Sequence, residues 1–293
     1  SFAALNLKKQ FFERITKPEV LPLLAFLIPA VVEYFVDPKV AAVQGRTASI
    51  NQKQNMLTQL LSYEEAVWCE AYLRGKDVLN LFVHLKGSCQ FIRRDVLQRL
   101  NGFDEAALSE DMELSARLIE NDYKIRYASD VVAMQENPSD LNTLFKQRTR
   151  WFRGTMEVAF KYGRLMTTLN RIKFDAETTL FGPFILIASL GPYLGAFLAF
   201  STFWSLDVAW GLAVQFGLFT TSLTLLICGL ALIYVSKPRN VRSLLWLPFV
   251  YCYCVFQAFI ALYAIMLIVL RRPRVWTKTD KKGVTDSFAS VLN

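Results

Sequence analysis

The stretch Ser109-Glu110-Asp111-Met112-Glu113 packs three carboxylates into five residues, and Gln147-Arg148-Thr149-Arg150-Trp151 follows further along the chain. Beyond that second cluster the sequence turns into long apolar runs. The chain has 293 residues, 53% of them hydrophobic, and a positive mean hydropathy, which is too apolar for an ordinary water-soluble domain. Charge is frequent before Thr178 and nearly absent for long runs after it. The distribution therefore predicts a water-exposed part followed by a membrane part.

The formal net charge is +8. Much of the excess flanks the apolar runs, at Lys237, Arg239, Arg242, Arg271, Arg272, Arg274, Lys278, Lys281 and Lys282. Basic flanks mark the cytoplasmic side of a membrane protein. With no recognition motif beside them, they predict no nucleic-acid partner. The five cysteines form no C-x-x-C pair, and His84 is the single histidine. Zinc sites, disulfide frameworks and histidine-dependent nucleophiles are poor readings of this chain.

Periodicity predicts a helix at Leu5–Ile15, a buried strand at Val20–Ile28 and a helix start at Pro29–Phe35. It predicts a strand at Val40–Ser49 and a long amphipathic helix at Gln52–Lys76. A strand or loop at Leu85–Arg93 leads into a helix at Arg94–Leu100 that ends at Gly102. Helices at Glu110–Glu120 and Leu141–Phe152 flank a strand within Tyr123–Met134. The basic amphipathic segment Thr155–Leu169 reads as a helix lying in the membrane interface. Apolar runs at 178–204, 208–235 and 244–270 are each long enough to cross a bilayer.

The acidic run by itself fits two roles. Carboxylates after a serine complement a helix N-terminus, and a carboxylate held there also serves as a general base. In the second cluster Gln147, Arg150 and Trp151 share a helix face. A Trp face stacks on a sugar ring, while Gln and Arg bond hydroxyls or phosphate. A buried Trp beside a solvated Arg is the plainer alternative.

The order of these clusters and the spans resembles the membrane-embedded family-2 glycosyltransferases, which include cellulose, chitin and hyaluronan synthases. Three further segments look like that family's: Asp37-Pro38-Lys39-Val40-Ala41-Ala42-Val43-Gln44-Gly45-Arg46, Lys86-Gly87-Ser88-Cys89-Gln90-Phe91-Ile92-Arg93-Arg94 and Gly102-Phe103-Asp104-Glu105. The resemblance implies an α/β fold: a partial GT-A-type sheet over residues 1–154, an interfacial linker helix over 155–177, three membrane helices over 178–270 and a basic tail over 271–293.

It also implies roles. Asp111 is the expected base and Glu110 a supporting acid. Gln147, Arg148, Arg150 and Trp151 form the acceptor- and diphosphate-binding set, and Gly87 and Ser88 the acceptor-side segment. The implied partners are a nucleotide sugar, a glycan or lipid-linked acceptor, and membrane lipid. The implied place is an integral plasma-membrane protein with its catalytic part in the cytoplasm.

The family's Asp-x-Asp, which holds Mg²⁺ or Mn²⁺, has no legible counterpart. Its expected position near Leu23–Pro29 carries no carboxylate. The donor-binding half is thus expected to be absent or degenerate, and these 293 residues alone to lack transfer activity. Three functions stay open at this point: elongation of a polysaccharide, single transfer to a lipid-linked or small glycan, and an inactive membrane scaffold. Three full spans are expected, which leaves the basic tail outside the cell, against the charge rule.

Overall fold

The computed structural model describes residues 29–163, 170–202, 208–236 and 239–274. The expected elements at Leu5–Ile15 and Val20–Ile28 lie outside them. A three-stranded mixed sheet in the order β2-β1-β3 carries the first part of the chain. Strand β1 (Val40–Ser49) runs antiparallel to β2 (Gln90–Ile92) and parallel to β3 (Lys124–Gln135). Within the β1/β3 pair Gly45 faces Ala128 while Arg46 faces Val132, so β3 bulges there and its register shifts.

Helix α1 (Met56–Val67) is capped by Asn55, whose side chain accepts from the Thr58 backbone N–H. It widens into π turns over Trp68–Leu73 and closes as α2 (Arg74–Val78). Helix α3 (Arg94–Arg99) stops at a turn in which the Gly102 N–H donates to the Leu97 carbonyl at 2.8 Å. Helix α4 (Glu110–Glu120) presents Leu114, Leu118 and Ile119 to the core, alongside Leu73, Phe82, Leu85 and Tyr127.

Helix α5 runs unbroken from Leu141 to Tyr162. The sequence pattern divides this stretch at residues 152–155; the structure does not. Gly154 sits mid-helix, where a larger residue would run into Ser109. The part of the expected interfacial helix beyond Gly163 lies outside the described residues up to residue 169.

The apolar run 178–204 is also not one straight element. It comprises the end of α6 (Arg171–Leu180), then α7 (Gly182–Ala188) and α8 (Gly191–Thr202). Helix α6 and the stretch Gly182–Gly195 meet at 54°. Gly182-Pro183 explains the first break, because proline lacks the N–H that would continue the ladder and favours a new first turn. Helix α9 (Val208–Val235) and α10 (Leu247–Val269) follow, the latter entered through a 3-10 turn at Val241–Trp246. By length and composition, two helices among the described residues suffice to cross a membrane, Val214–Val235 and Val241–Val269, and a bent pair makes a possible third.

Candidate active site

The loop between α2 and β2 is built first, and Gln44 builds it. This side chain is wholly buried, yet it sits in a strand of apolar neighbours. Its amide donates to the Ser88 carbonyl at 2.8 Å and to the Gly45 carbonyl at 2.7 Å, and its oxygen accepts from the Lys86 N–H at 2.8 Å. A buried amide fully satisfied in this way fixes the Lys86–Cys89 backbone. Gly87 then takes φ +75°, where a side chain is strained. A Cβ at this position would also lie 3.0 Å from Asp111 Oδ2. The bare backbone of Gly87 therefore forms one wall against Asp111.

Asp111 occupies the first turn of α4. Its Oδ1 accepts from the Met112 N–H at 2.8 Å, and its carbonyl accepts from the Ser115 hydroxyl at 2.6 Å. Burial pushes its pKa up to about 6. The Met112 N–H opposes that rise, the Glu110 charge adds to it, and the Arg150 charge opposes it. The result is a carboxylate that is ionised at neutral pH but more basic than an exposed one. Ser109 holds the N-cap position without a side-chain capping bond. Its side chain instead presses against Gly154 of α5, where any Cβ would collide with the Ser109 hydroxyl.

Glu113 ties the same two helices together further on. It is buried, and it accepts from Tyr162 OH at 2.6 Å, Lys161 Nζ at 2.8 Å and Arg117 Nη2 at 2.9 Å. Desolvation, then this carboxylate, raises the Tyr162 pKa to about 12. Arg117 also donates to the Gly102 carbonyl at 2.8 Å, which fixes the loop leading to Ser109.

The residues of the Arg/Trp cluster diverge on α5. Arg150 turns toward the loop that leads into α4, with Nη1 3.5 Å from the Leu108 carbonyl, and its charge is felt at Asp111. Arg148 turns the other way. It pairs with Glu64 of α1, and its guanidinium lies 4.4 Å from the centre of the Trp151 ring. Glu64 also accepts from Tyr253 OH at 2.9 Å and from Gln257 Nε2 at 3.0 Å, both on α10. One face of Trp151 is thereby occupied by Arg148, while the residue remains 38% exposed. Glu110 flanks Asp111 and acts on it through charge.

Four residues of this arrangement are given no role by the sequence: Gln44 and Glu113, which lie inside the quoted stretches, and Glu64 and Gly154, which lie outside them. Gln44 and Gly154 carry a signal, a polar residue at a strand-core position and a glycine inside a helix that costs about 1 kcal/mol relative to alanine. Glu64 carries none, because its partners lie far along the chain. His84 is buried. Burial, then the charges of Lys76 and Lys86, holds its pKa down at about 3, so it stays neutral in the core.

Among the described residues no group of three or more His, Cys, Asp or Glu side chains is placed to hold a metal ion. Residues 23–28, where the family resemblance puts the metal motif, lie outside them. The described residues do not fit a divalent cation.

The chain spans about a third of the length of the curated relatives it matches. The probable glycosyltransferase YdaM of Bacillus subtilis (strain 168) is 30% identical over 141 residues, 47% of this chain and 34% of that protein. The beta-monoglucosyldiacylglycerol synthase of Synechocystis sp. (strain ATCC 27184 / PCC 6803 / Kazusa) is 28% identical over 143 residues, 48% of this chain and 29% of that protein. Among solved structures, the mannosyltransferase PcManGT from Pyrobaculum calidifontis, in complex with GDP-Man and Mn2+, aligns with a TM-score of 0.40 and 13% identity. That alignment covers 83% of this chain and 57% of the mannosyltransferase. A family model described as glycosyl transferase family group 2 matches residues 25–270, from ahead of β1 to the end of α10. The chain belongs to glycosyl transferase family group 2.

Proposed function

We propose that this protein is an inverting, nucleotide-sugar-dependent glycosyltransferase with a GT-A-type sheet, which adds sugar to a growing polysaccharide at the membrane. The observation that carries this reading is Asp111: a carboxylate with its pKa near 6, walled by the Gly87 backbone and facing the charge of Arg150. In the step, Asp111 takes the proton from an acceptor hydroxyl. The hydroxyl oxygen bonds to the anomeric carbon as the bond to the nucleoside diphosphate breaks, and the diphosphate leaves with the electron pair. Attack opposite the leaving group inverts the anomeric configuration. Gln147 and Arg150 steady the diphosphate side. The open face of Trp151 stacks on the acceptor sugar, held from behind by Arg148.

A second reading, single transfer to a lipid, is favoured by the name of the Synechocystis relative, a beta-monoglucosyldiacylglycerol synthase. A panel of radiolabelled nucleotide sugars offered to membranes holding the protein separates the readings. Label in high-molecular-mass glycan supports elongation, and label in the lipid extract supports the second reading. No transfer from any donor, even with the donor-binding half expected to be missing here supplied, sinks both and leaves a membrane scaffold.

Glu64 gives a further expectation. Glu64→Gln keeps the shape but removes the charge that holds Arg148 against Trp151. The KM for acceptor should rise about tenfold, the cost of one charge-assisted contact, with the KM for donor unchanged. Equal changes in both constants would assign Glu64 to folding alone. Arg150→Lys should recover only part of the activity lost in Arg150→Ala, because lysine lacks the planar fork.

A further inference from the structure

Helix α10 has the composition of a membrane span, yet both of its ends are fastened to the domain that holds the candidate active site. At its start, the Trp246 ring lies 5.5 Å from that of Tyr63 on α1. Two and three turns on, Tyr253 and Gln257 bond Glu64 of α1. In the middle, Phe145 of α5 meets Tyr263 at 5.3 Å, and Met156 of α5 packs on Ala261 and Ala264. At its end, buried Arg153 of α5 donates to the carbonyls of Arg272 at 2.6 Å and Pro273 at 3.0 Å. Arg274 pairs with Glu157 of α5 at 3.0 Å.

Helix α10 contains 23 residues. A straight helix of that length reaches about 35 Å, against a hydrocarbon core of about 30 Å. If it crossed the bilayer, α1, which carries Glu64 and Glu65, and α5, which carries six charged residues from Lys146 to Lys161, would have to contact it at both membrane faces. One domain on one side of the membrane cannot do that.

We infer that α10 does not cross the membrane: it lies along the interface on the side of the catalytic domain, sandwiched between that domain and the lipid of the adjoining leaflet. Its inner face holds Tyr253, Ala258, Ile260, Ala261 and Ala264, all buried against protein. The small alanines let α5 approach closely. Its outer face holds Phe259, Leu262, Met266 and Val269, all exposed. An ordinary interfacial helix needs a polar face because one side meets water. Here the second side meets protein, so an apolar composition all round is the expected one.

Charge supports the same placement. Exposed Arg239 and Arg242 precede the helix, and exposed Arg271, Arg272 and Arg274 follow it. Both basic groups then fall on one side, as the charge rule requires, and anionic headgroups of that leaflet are their natural counterions. Helix α9 reaches the same place, because its Gly229 packs against Leu244 and Leu247 at the entry to α10.

The test is labelling of the protein in intact cells with a membrane-impermeant maleimide. Ser287→Cys reports the tail, Glu105→Cys the catalytic side and Ser205→Cys the α8–α9 connection, with the unsubstituted protein as background for the native cysteines. Ser287→Cys should label only after lysis, as Glu105→Cys does, while Ser205→Cys labels on intact cells. Labelling of Ser287→Cys on intact cells overturns the inference. Nitroxides at Phe249, Phe259 and Val269 give an independent reading of depth. One common depth is expected, and a steady progression approaching ~30 Å overturns the placement.

Discussion

Asp111→Asn in an active preparation of the protein should reduce turnover by roughly a thousandfold or more, the scale of a lost general base. Asparagine keeps the size of the side chain and still accepts from the Met112 N–H. It cannot take a proton from the acceptor. The same variant should be more stable than the parent, and this sets the prediction apart from simple unfolding. The folded protein holds the Asp111 proton more tightly than the unfolded chain does, with a pKa near 6 against an ordinary 3.8. Stability is therefore lost as pH rises from about 4 to about 6, and the penalty is fully present above that. Removing the charge returns up to roughly 3 kcal/mol at neutral pH. A variant that is inactive and melts higher supports the assignment, whereas near-parent turnover ends it.

Gly154→Ala should also cut turnover steeply, by about a hundredfold, although alanine is the better helix former by about 1 kcal/mol. The added methyl collides with Ser109, whose backbone N lies 3.0 Å from the Cβ position. The start of α4 must then shift, and Glu110 and Asp111 move with it. A base displaced by a fraction of an ångström loses alignment with the hydroxyl it serves. Ser109→Gly in the same chain makes room and should recover part of the loss. Circular dichroism and melting should stay near the parent, because α5 itself gains propensity. If Gly154→Ala turns over normally, the α4–α5 contact does not set the position of Asp111.

These two expectations show what a sequence exposes and what it hides. The strand Val40–Ser49 and the helix Glu110–Glu120 are legible with correct bounds, because alternation in one and a Ser-acid start in the other are local signals. The base role proposed for Asp111 comes from the family resemblance, since the acidic run by itself fits a helix start equally well. The continuity of α5 is not, because a glycine that serves packing reads like one that ends a helix. The breaks within 178–204 are hidden by hydropathy, which registers how apolar a run is and ignores its direction; the Gly-Pro pairs at 182–183 and 191–192 are the signal.

The divergence of Arg148 from Arg150 follows from helix geometry, because residues two apart face opposite ways; the partner of Arg148 does not, because Glu64 is 84 residues from Arg148 and 189 from Tyr253. No periodicity within a helix reveals such a contact. The same holds for α10, whose composition reads as a span and whose contacts place both ends beside one domain.

The pH dependence of kcat/KM for sugar transfer tests the assignment of Asp111 most directly. Burial holds Asp111 near 6, so only the ionised fraction above that value can accept the hydroxyl proton. The account predicts a rate that climbs about tenfold per pH unit below 6 and levels off above it. A profile flat between pH 4.5 and 8, values chosen to bracket a pKa of about 6, would contradict it.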